Sequence, residues 1–296
     1  MQLQTLHTVP AIVEHGSFAA AADAVGCTPS AVSLQVKQVE TWLGKPLFDR
    51  STRRPRPTAL AHEVAAISRE IALRLEALRT PRGAPVGGRL RLGAIATVQT
   101  DGLPQALRTL RERHPALSVD VQLGDSAALL ADLKAGRLDA AVLVRPKGGG
   151  SERLAWHNLV QQPLVLLAPA SAPDESLRAL IARLGWIRYD TELTGGRLAA
   201  ACMRRIAPRT RPIMELRAID AIVAMVSAGL GVSVVPRPRA ALLDAHRVRA
   251  VRLPRGAPAR TIALVRRAGD AGQRNIDAVA AAFERAYSPE GVATST

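Results

Sequence analysis

Apolar residues open the chain at helical spacing: Leu3, Leu6, Val9, Ile12 and Val13 recur by threes and fours and stop at His15-Gly16. Pro10 interrupts this run, and because proline lacks a donor and crowds the preceding turn, a kink or two short helices is expected there. Ser17 then caps a short helix, FAAAADAV, which Gly26 ends in a left-handed conformation. Thr28 caps a third helix with Pro29 in its first turn, where the missing N–H costs nothing. Ala31, Val32, Leu34 or Gln35, Val36, Val39 and Leu43 carry it to about Gly44. A longer helix runs from Thr58 to Arg79 with Leu60, Val64, Ile67, Ile71 and Leu78 along one seam, interrupted by Arg74 and flanked by Leu75.

The pattern changes after TPRGAPVGG (80–88), a Pro/Gly hinge that cannot continue a helix. Short apolar strands now alternate with amphipathic helices: RLRLGAIA, a helix over about 101–113, LSVDVQL, a helix from Ser126 to Ala135, then DAAVLV. This β-α-β-α-β order implies a parallel sheet flanked by helices. PLVLLAPA, WIRYD, a helix near 194–206, IMEL, a helix over 218–228 and GVSVVP form a second set. TIALVRR and a helix over about 272–287 follow. At 296 residues the chain is long enough for two domains.

Two short helices joined by a tight glycine turn, the second opening on small polar residues, describe a helix-turn-helix. Such a second helix lies in the major groove and reads base edges from its N-terminal residues. Ser30, Ser33, Gln35 and Lys37, next to Thr28, are expected to face outward while Val32, Val36 and Val39 hold the helix. An ordinary helical hairpin would look much the same, so the next segment matters. GKPLFDRSTRRPRPT (44–58) sets Lys45, Arg50, Arg53, Arg54 and Arg56 against the single acid Asp49. A basic, proline-stiffened loop directly after a helix-turn-helix reads as a wing that touches phosphates or the minor groove. The formal charge of +15 agrees with a nucleic-acid partner, although arginine is spread along the whole chain and a basic background would give the same total. The 58–79 helix has little nearby to pack on, which points to a homodimer through residues 59–79. Cys27 and Cys202 are far apart and make no metal spacing, so reduced thiols are expected. There is neither a signal-like start nor an apolar run near the ~20 residues of a membrane span, so a cytoplasmic protein without membrane contact is expected.

The stretch GSFAAAADAVGCTPSAVSLQVKQVETWLGKPLFDRSTRRPRPT resembles the winged helix-turn-helix of LysR-type transcriptional regulators, in the order GSF, paired alanines, small-polar helix start, LG, PLF and basic wing. The likeness runs more weakly beyond residue 90. It implies a multidomain α and α/β chain. Residues 1–58 would be a winged helix-turn-helix and 59–88 a linker helix and hinge. Residues 89–296 would be a two-lobed α/β effector domain like periplasmic binding proteins, with lobe I at 89–161 and 267–296 and lobe II at 162–266. Many members carry glutamine where Pro29 stands, arginine where Leu34 stands and glycine where Ala61 stands. Base readout is therefore expected to shift toward Ser30, Ser33, Gln35 and Lys37.

The resemblance also implies a small-molecule effector between the lobes, double-stranded DNA and RNA polymerase as partners, and often homotetramers. Open α/β sheets bind ligands beyond the carboxyl ends of their strands. Thr97, Gln99 and Thr100 follow the first strand, Ser126 follows the second as an expected helix cap, and Asp190 and Thr194 follow the first strand of the second lobe. By resemblance these line the effector cleft. GLGVS (229–233) follows a helix and enters a strand, the reverse of a dinucleotide fingerprint, and the six histidines lack metal spacing. No catalytic constellation or cofactor motif emerges, so an enzyme is not expected. A solute-binding protein would explain the C-terminal part but not the basic N-terminal module. A molybdate-responsive type of regulator would explain the winged domain but not the two lobes.

Overall fold

The computed structural model describes residues 5–49, 51, 55–79, 85–146, 148, 151–270 and 273–288. The N-terminal unit comprises α1 (Thr5–His15), α2 (Phe18–Val25) and α3 (Pro29–Leu43), followed by a two-stranded wing of β1 (Phe48–Asp49) and β2 (Arg56–Pro57). Local chemistry sets the boundaries. Ser17 Oγ accepts from Ala20 N at 3.1 Å, Thr28 Oγ1 accepts from Ala31 N at 3.2 Å, and Gly26 and Gly44 end their helices with φ of 65° and 66°. Pro10 does not split the first helix: α1 runs through it as a single element. Val9, Ile12, Ala21, Ala22, Val32, Val36, Val39, Leu47 and Phe48 form one small core. Glu40 ties the wing to that core, its Oε1 accepting from Leu47 N at 2.8 Å and Phe48 N at 3.3 Å.

Thr58 starts the linker helix α4 (Ala59–Arg79) by accepting from Ala61 N at 3.2 Å. One face of α4, carrying Ala61, Ala65 and Ser68, is buried, and its first turns pack on α1. The expected seam divides. Leu60 and Val64 pack on the N-terminal core, whereas Ile67 and Ile71 lie exposed, as does Leu75 beside the seam at the next i+4 position; the Leu78 side chain lies outside the described residues. Arg69 joins three parts of the chain: Nη1 donates to Gly136 O at 2.9 Å and Nη2 to Pro10 O at 3.4 Å. Burial pushes its pKa down to about 10.

Beyond the hinge the elements are β3 (Gly88–Ala94), α5 (Ala96–Thr100), α6 (Leu103–Arg113), β4 (Leu117–Leu123), α7 (Ser126–Lys134), β5 (Ala140–Val144) and β6 (Leu154–Pro169). Then come α8 (Leu177–Leu184), β7 (Trp186–Tyr189), α9 (Thr194–Ile206), β8 (Pro212–Leu216), α10 (Ile219–Ser227), β9 (Ser233–Pro236), α11 (Ala240–Ala245), β10 (Val248–Arg252), β11 (Ala259–Arg267) and α12 (Arg274–Tyr287). One sheet runs β10-β6-β11-β5-β3-β4, with β9 also on β6. The β3–β4 and β3–β5 pairs are parallel, as expected, and the β11 pairs are antiparallel.

β6 belongs to both lobes. Its residues 154–163 pair with β11, and Leu164–Pro169 pair with β9 and β10. In the second lobe the alternation of β6 sorts side chains between two cores, Leu164, Leu166 and Ala168 toward α8 and α9, Val165 and Leu167 toward α10 and α11. The return crossing departs from the expected boundary at 266–267. β11 pairs with β5 from Ile262–Val144 to Arg266–Ala140 and so is a lobe I strand, which puts the crossing before Ala259. Hydropathy marks a strand but not its neighbour, and pairing alone assigns it to a lobe.

Candidate functional site

On α3 one side is buried and the other open. Ser30, Leu34, Lys37, Gln38 and Thr41 are exposed, Ser33 is half-buried, and Trp42, 82% exposed, ends the row. Spacing by threes and fours puts these side chains on one stripe. Thr28 Oγ1 is also within 3.0 Å of Ser30 Oγ at the start of the helix. Gln35 departs from the expected arrangement. It is 9% exposed and accepts a hydrogen bond from Thr8 on α1, so it braces the helix against its neighbour rather than facing outward. Its position one turn from Val32 and Val39 puts it on the apolar stripe, while Gln38 and Thr41 hold the open positions. Arg50, Arg53 and Arg54 lie outside the described residues. Arg56, which is described, is exposed on β2.

The second site is a cleft of about 420 Å³ where the lobes meet. Lobe I contributes Thr97, Thr100 and Asp101 from α5 and its end, and lobe II contributes Ile219, Asp220 and the segment from Pro236 to Ala245. Gln162 and Arg260 reach it from the crossing strands. A continuous polar chain connects them. Arg260 Nη2 donates to Thr97 Oγ1 at 2.9 Å, and its Nε donates to Gln162 Oε1 at 2.9 Å. Gln162 Nε2 donates to Asp101 Oδ2 at 3.1 Å. Arg239 lies 3.0 Å from Asp101 Oδ1 and donates to Thr100 O at 3.1 Å. Arg260 is 4% exposed, and burial pulls its pKa below the usual guanidinium range. Burial likewise raises the Asp101 carboxyl, against the pull of Arg239 and Arg260. Behind Arg260, a Cβ on Gly195 would stand 3.0 Å from Tyr189 Cε1 and 3.2 Å from Arg260 Nη1, so glycine lets α9 approach this closely.

Thr97 and Thr100 thus line the cleft, and the other four expected residues are engaged elsewhere. Gln99 Nε2 donates to Ala94 O at 3.3 Å. Ser126 is not the cap of α7: Asp125 is, accepting from Ala127 N and Ala128 N at 3.0 and 2.9 Å, while Ser126 Oγ accepts from Val144 N at 3.3 Å. The carboxylate one residue earlier wins the capping position because it can accept from two amides at once. Asp190 pairs with Arg217 at 2.9 Å, and the same arginine reaches Glu192 at 3.1 Å and Asp125 of lobe I at 3.6 Å. Thr194 Oγ1 accepts from Arg197 Nη2 at 3.0 Å. The cleft also holds Asp101, Gln162, Arg239 and Arg260, which no motif in the sequence singles out. Arg260 left a signal, since it falls in phase with buried Ile262 and Leu264 on β11.

Both parts of the chain match family models: residues 3–62 match the bacterial regulatory helix-turn-helix protein, lysR family, and residues 83–288 match the LysR substrate binding domain. The chain belongs to the LysR family of transcriptional regulators. It is 31% identical over 304 residues to a probable hydrogen peroxide-inducible genes activator from Streptomyces viridosporus, covering 96% of this chain and 94% of that protein. It is also 33% identical over 176 residues to the HTH-type transcriptional regulator CbbR of Sinorhizobium medicae (strain WSM419), over 58% of this chain and 55% of the relative. Among solved structures, a full-length OxyR point variant from Pseudomonas aeruginosa superposes with a TM-score of 0.77 at 21% identity, covering 96% of this chain and 98% of that one. ArgP from Mycobacterium tuberculosis gives 0.74 at 19% identity, over 96% and 97%. These likenesses support the same fold, a helix-turn-helix followed by a two-lobed effector domain. This LysR-type regulator therefore couples a DNA-binding module to an effector-binding one. Among its described residues no helix is long and apolar enough to cross a membrane.

Proposed function

We propose that this regulator reads duplex DNA through the open face of α3, with Ser30, Ser33, Lys37, Gln38 and Thr41 at base edges. Arg50, Arg53, Arg54 and Arg56 of the wing would sit on phosphates. The observation that carries the reading is the exposed polar stripe on a helix whose opposite face is fully packed. Thr28 and Ser30 at its start leave room for close approach to the duplex. The exposed row Ile67, Ile71 and Leu75 on α4 supports a homodimer, in which two recognition helices meet successive major grooves. Tetramers, contact with RNA polymerase, a cytoplasmic location and the lack of an enzymatic role follow from family membership as part of the same proposal.

The cleft takes a small-molecule effector, and Thr97 and Thr100 are its lobe I contacts. Ligand that favours one arrangement of the lobes shifts the population of DNA-binding geometries. Arg69 supplies a physical route, since it bonds lobe I at Gly136 and the first helix at Pro10. The peroxide-inducible relative raises thiol chemistry as an alternative, and Cys202 argues against it here. That thiol is 4% exposed in the lobe II core and burial raises its pKa, which disfavours the reactive thiolate. Deleting residues 1–58 is expected to abolish duplex binding in gel shifts on DNA upstream of the protein's own gene. Undiminished binding by the truncated chain refutes the reading.

A further inference from the structure

Arg260 is the least conventional group in the cleft. A guanidinium removed from water is costly unless a counter-charge or a full set of acceptors replaces the solvent. Its partners are neutral: Gln162 Oε1, Thr97 Oγ1 and the Tyr189 hydroxyl. Among the described residues no carboxylate is within ion-pair distance of it. The nearby acid, Asp101, is already paired with Arg239. The cleft is lined by three arginines (Arg237, Arg239 and Arg260) and two aspartates (Asp101 and Asp220), so the Arg239–Asp101 pair leaves a positive surplus. Guanidinium has five N–H donors, and the three neutral contacts leave part of the fork for another acceptor. Beside it, Ile219, Pro236, Pro238, Ala241, Leu242 and Ala245 provide an apolar wall. The volume, about 420 Å³, falls in the range of small-metabolite pockets, roughly 300–1,000 Å³.

We propose that the cleft takes a small ligand with a carboxylate head and an apolar body, the head received by Arg260 and the body lying against Ile219 and the 236–245 segment. This rests on the reading of the cleft as the effector site and deepens it to a chemical class. A carboxylate matches the planar fork of arginine and supplies the missing counter-charge. Because Arg260 bonds Thr97 of lobe I and faces Tyr189 of lobe II, a head group bound there competes with contacts that join the lobes, which links occupancy to their arrangement.

The test uses the full chain and matched pairs of probes differing only in charge: benzoate against benzamide, and 4-methylpentanoate against its amide. Affinities are read by isothermal titration. At least one acid is expected to bind roughly ten- to hundred-fold more tightly than its amide, as for a charge-assisted hydrogen bond. Arg260→Met should erase that preference, Arg260→Lys should retain part of it, and Leu242→Trp, which fills the wall, should weaken acid and amide alike. The wild-type comparison stands even if an Arg260 variant folds poorly. Amides that bind as well as their acids in the wild-type protein overturn the anion proposal while leaving the cleft a small-molecule site. A preference that survives Arg260→Met overturns the role of Arg260. Failure of every probe, charged or neutral, counts against the effector-site reading itself and the proposal with it.

Discussion

Gln35 offers the sharpest check on how the DNA-binding unit is built. In the structure its amide oxygen accepts from Thr8, and the side chain is 9% exposed between α1 and α3. Thr8→Val removes the donor and leaves a buried acceptor without that bond, which costs about 1–3 kcal/mol. Replacing both partners by apolar groups, Thr8→Val with Gln35→Leu, removes the polar atoms together and should recover most of the loss. The cycle should give a coupling of about 1–2 kcal/mol, within the range seen for residues in contact. Hydrogen exchange of amides in 5–15 and 29–43 measures this locally, without requiring the multidomain chain to unfold in one step. For Thr8→Val, exchange in both helices should accelerate by roughly five- to a hundred-fold. Site selection from random duplexes supplies the functional arm. Gln35→Leu should preserve the wild-type sequence preference, whereas Lys37→Ala and Ser33→Ala should change it or weaken it. Unchanged helix exchange together with an altered preference in Gln35→Leu would mean that Gln35 reaches the bases, and the bracing role would be wrong.

Three further outcomes are expected. His62 has its pKa lowered by burial first and then by Arg137 and Arg69, so its neutral form stabilises the fold: the contribution is complete above about 6.5, the unfolded value, and is lost as pH falls through the depressed folded value. Protection of α4 amides around residue 62, taken relative to the intrinsic exchange rate at each pH, should therefore fall on acidification from pH 7.5 to 5, and His62→Gln should flatten that response; an unchanged pH dependence contradicts the assignment. Gly196→Ala should destabilise lobe II by about 3 kcal/mol or more, because the new Cβ would sit 1.8 Å from the backbone oxygen of Asp190 and α9 must move off β7. A melting curve matching wild type would show that the two are not in close contact. Arg53→Ala with Arg54→Ala should weaken binding to every duplex and lower the slope of log affinity against log salt by about two; a loss confined to one sequence would assign these arginines to base reading instead.

How much was legible in the chain follows the range of the interactions involved. Helix ends are set by neighbours a few residues apart, so Ser17, Gly26, Thr28 and Gly44 could be placed from their own chemistry, and their hydrogen bonds and φ angles agree. The three-element module with its basic wing, the linker helix and the alternation of strands and helices were likewise visible as periodicity. Pro10 does not divide α1 into two helices, because a local penalty does not count the packing of α1 on α4. Gln35 departs from the outward-facing expectation for a related reason: helical spacing puts it on the apolar stripe, where a polar side chain needs a partner, and that partner, Thr8, is a neighbour only after α1 and α3 pack.

The cleft lies at the far end of that scale. Thr97 and Thr100 were found because residues beyond a strand end are placed by topology. Gln162 and Arg260 sit inside strands, and they meet only because β6 and β11 pair at the crossing between lobes. Arg239 reaches Asp101 across the gap between lobes, a separation along the chain that no local pattern encodes. Asp125 displaced Ser126 as a cap because two amides converge on its carboxylate. Short-range propensity and periodicity thus specify which elements this chain forms and which module it begins with. The pairing of distant strands specifies which polar side chains share a pocket, since burial and counter-charge depend on neighbours brought together in space.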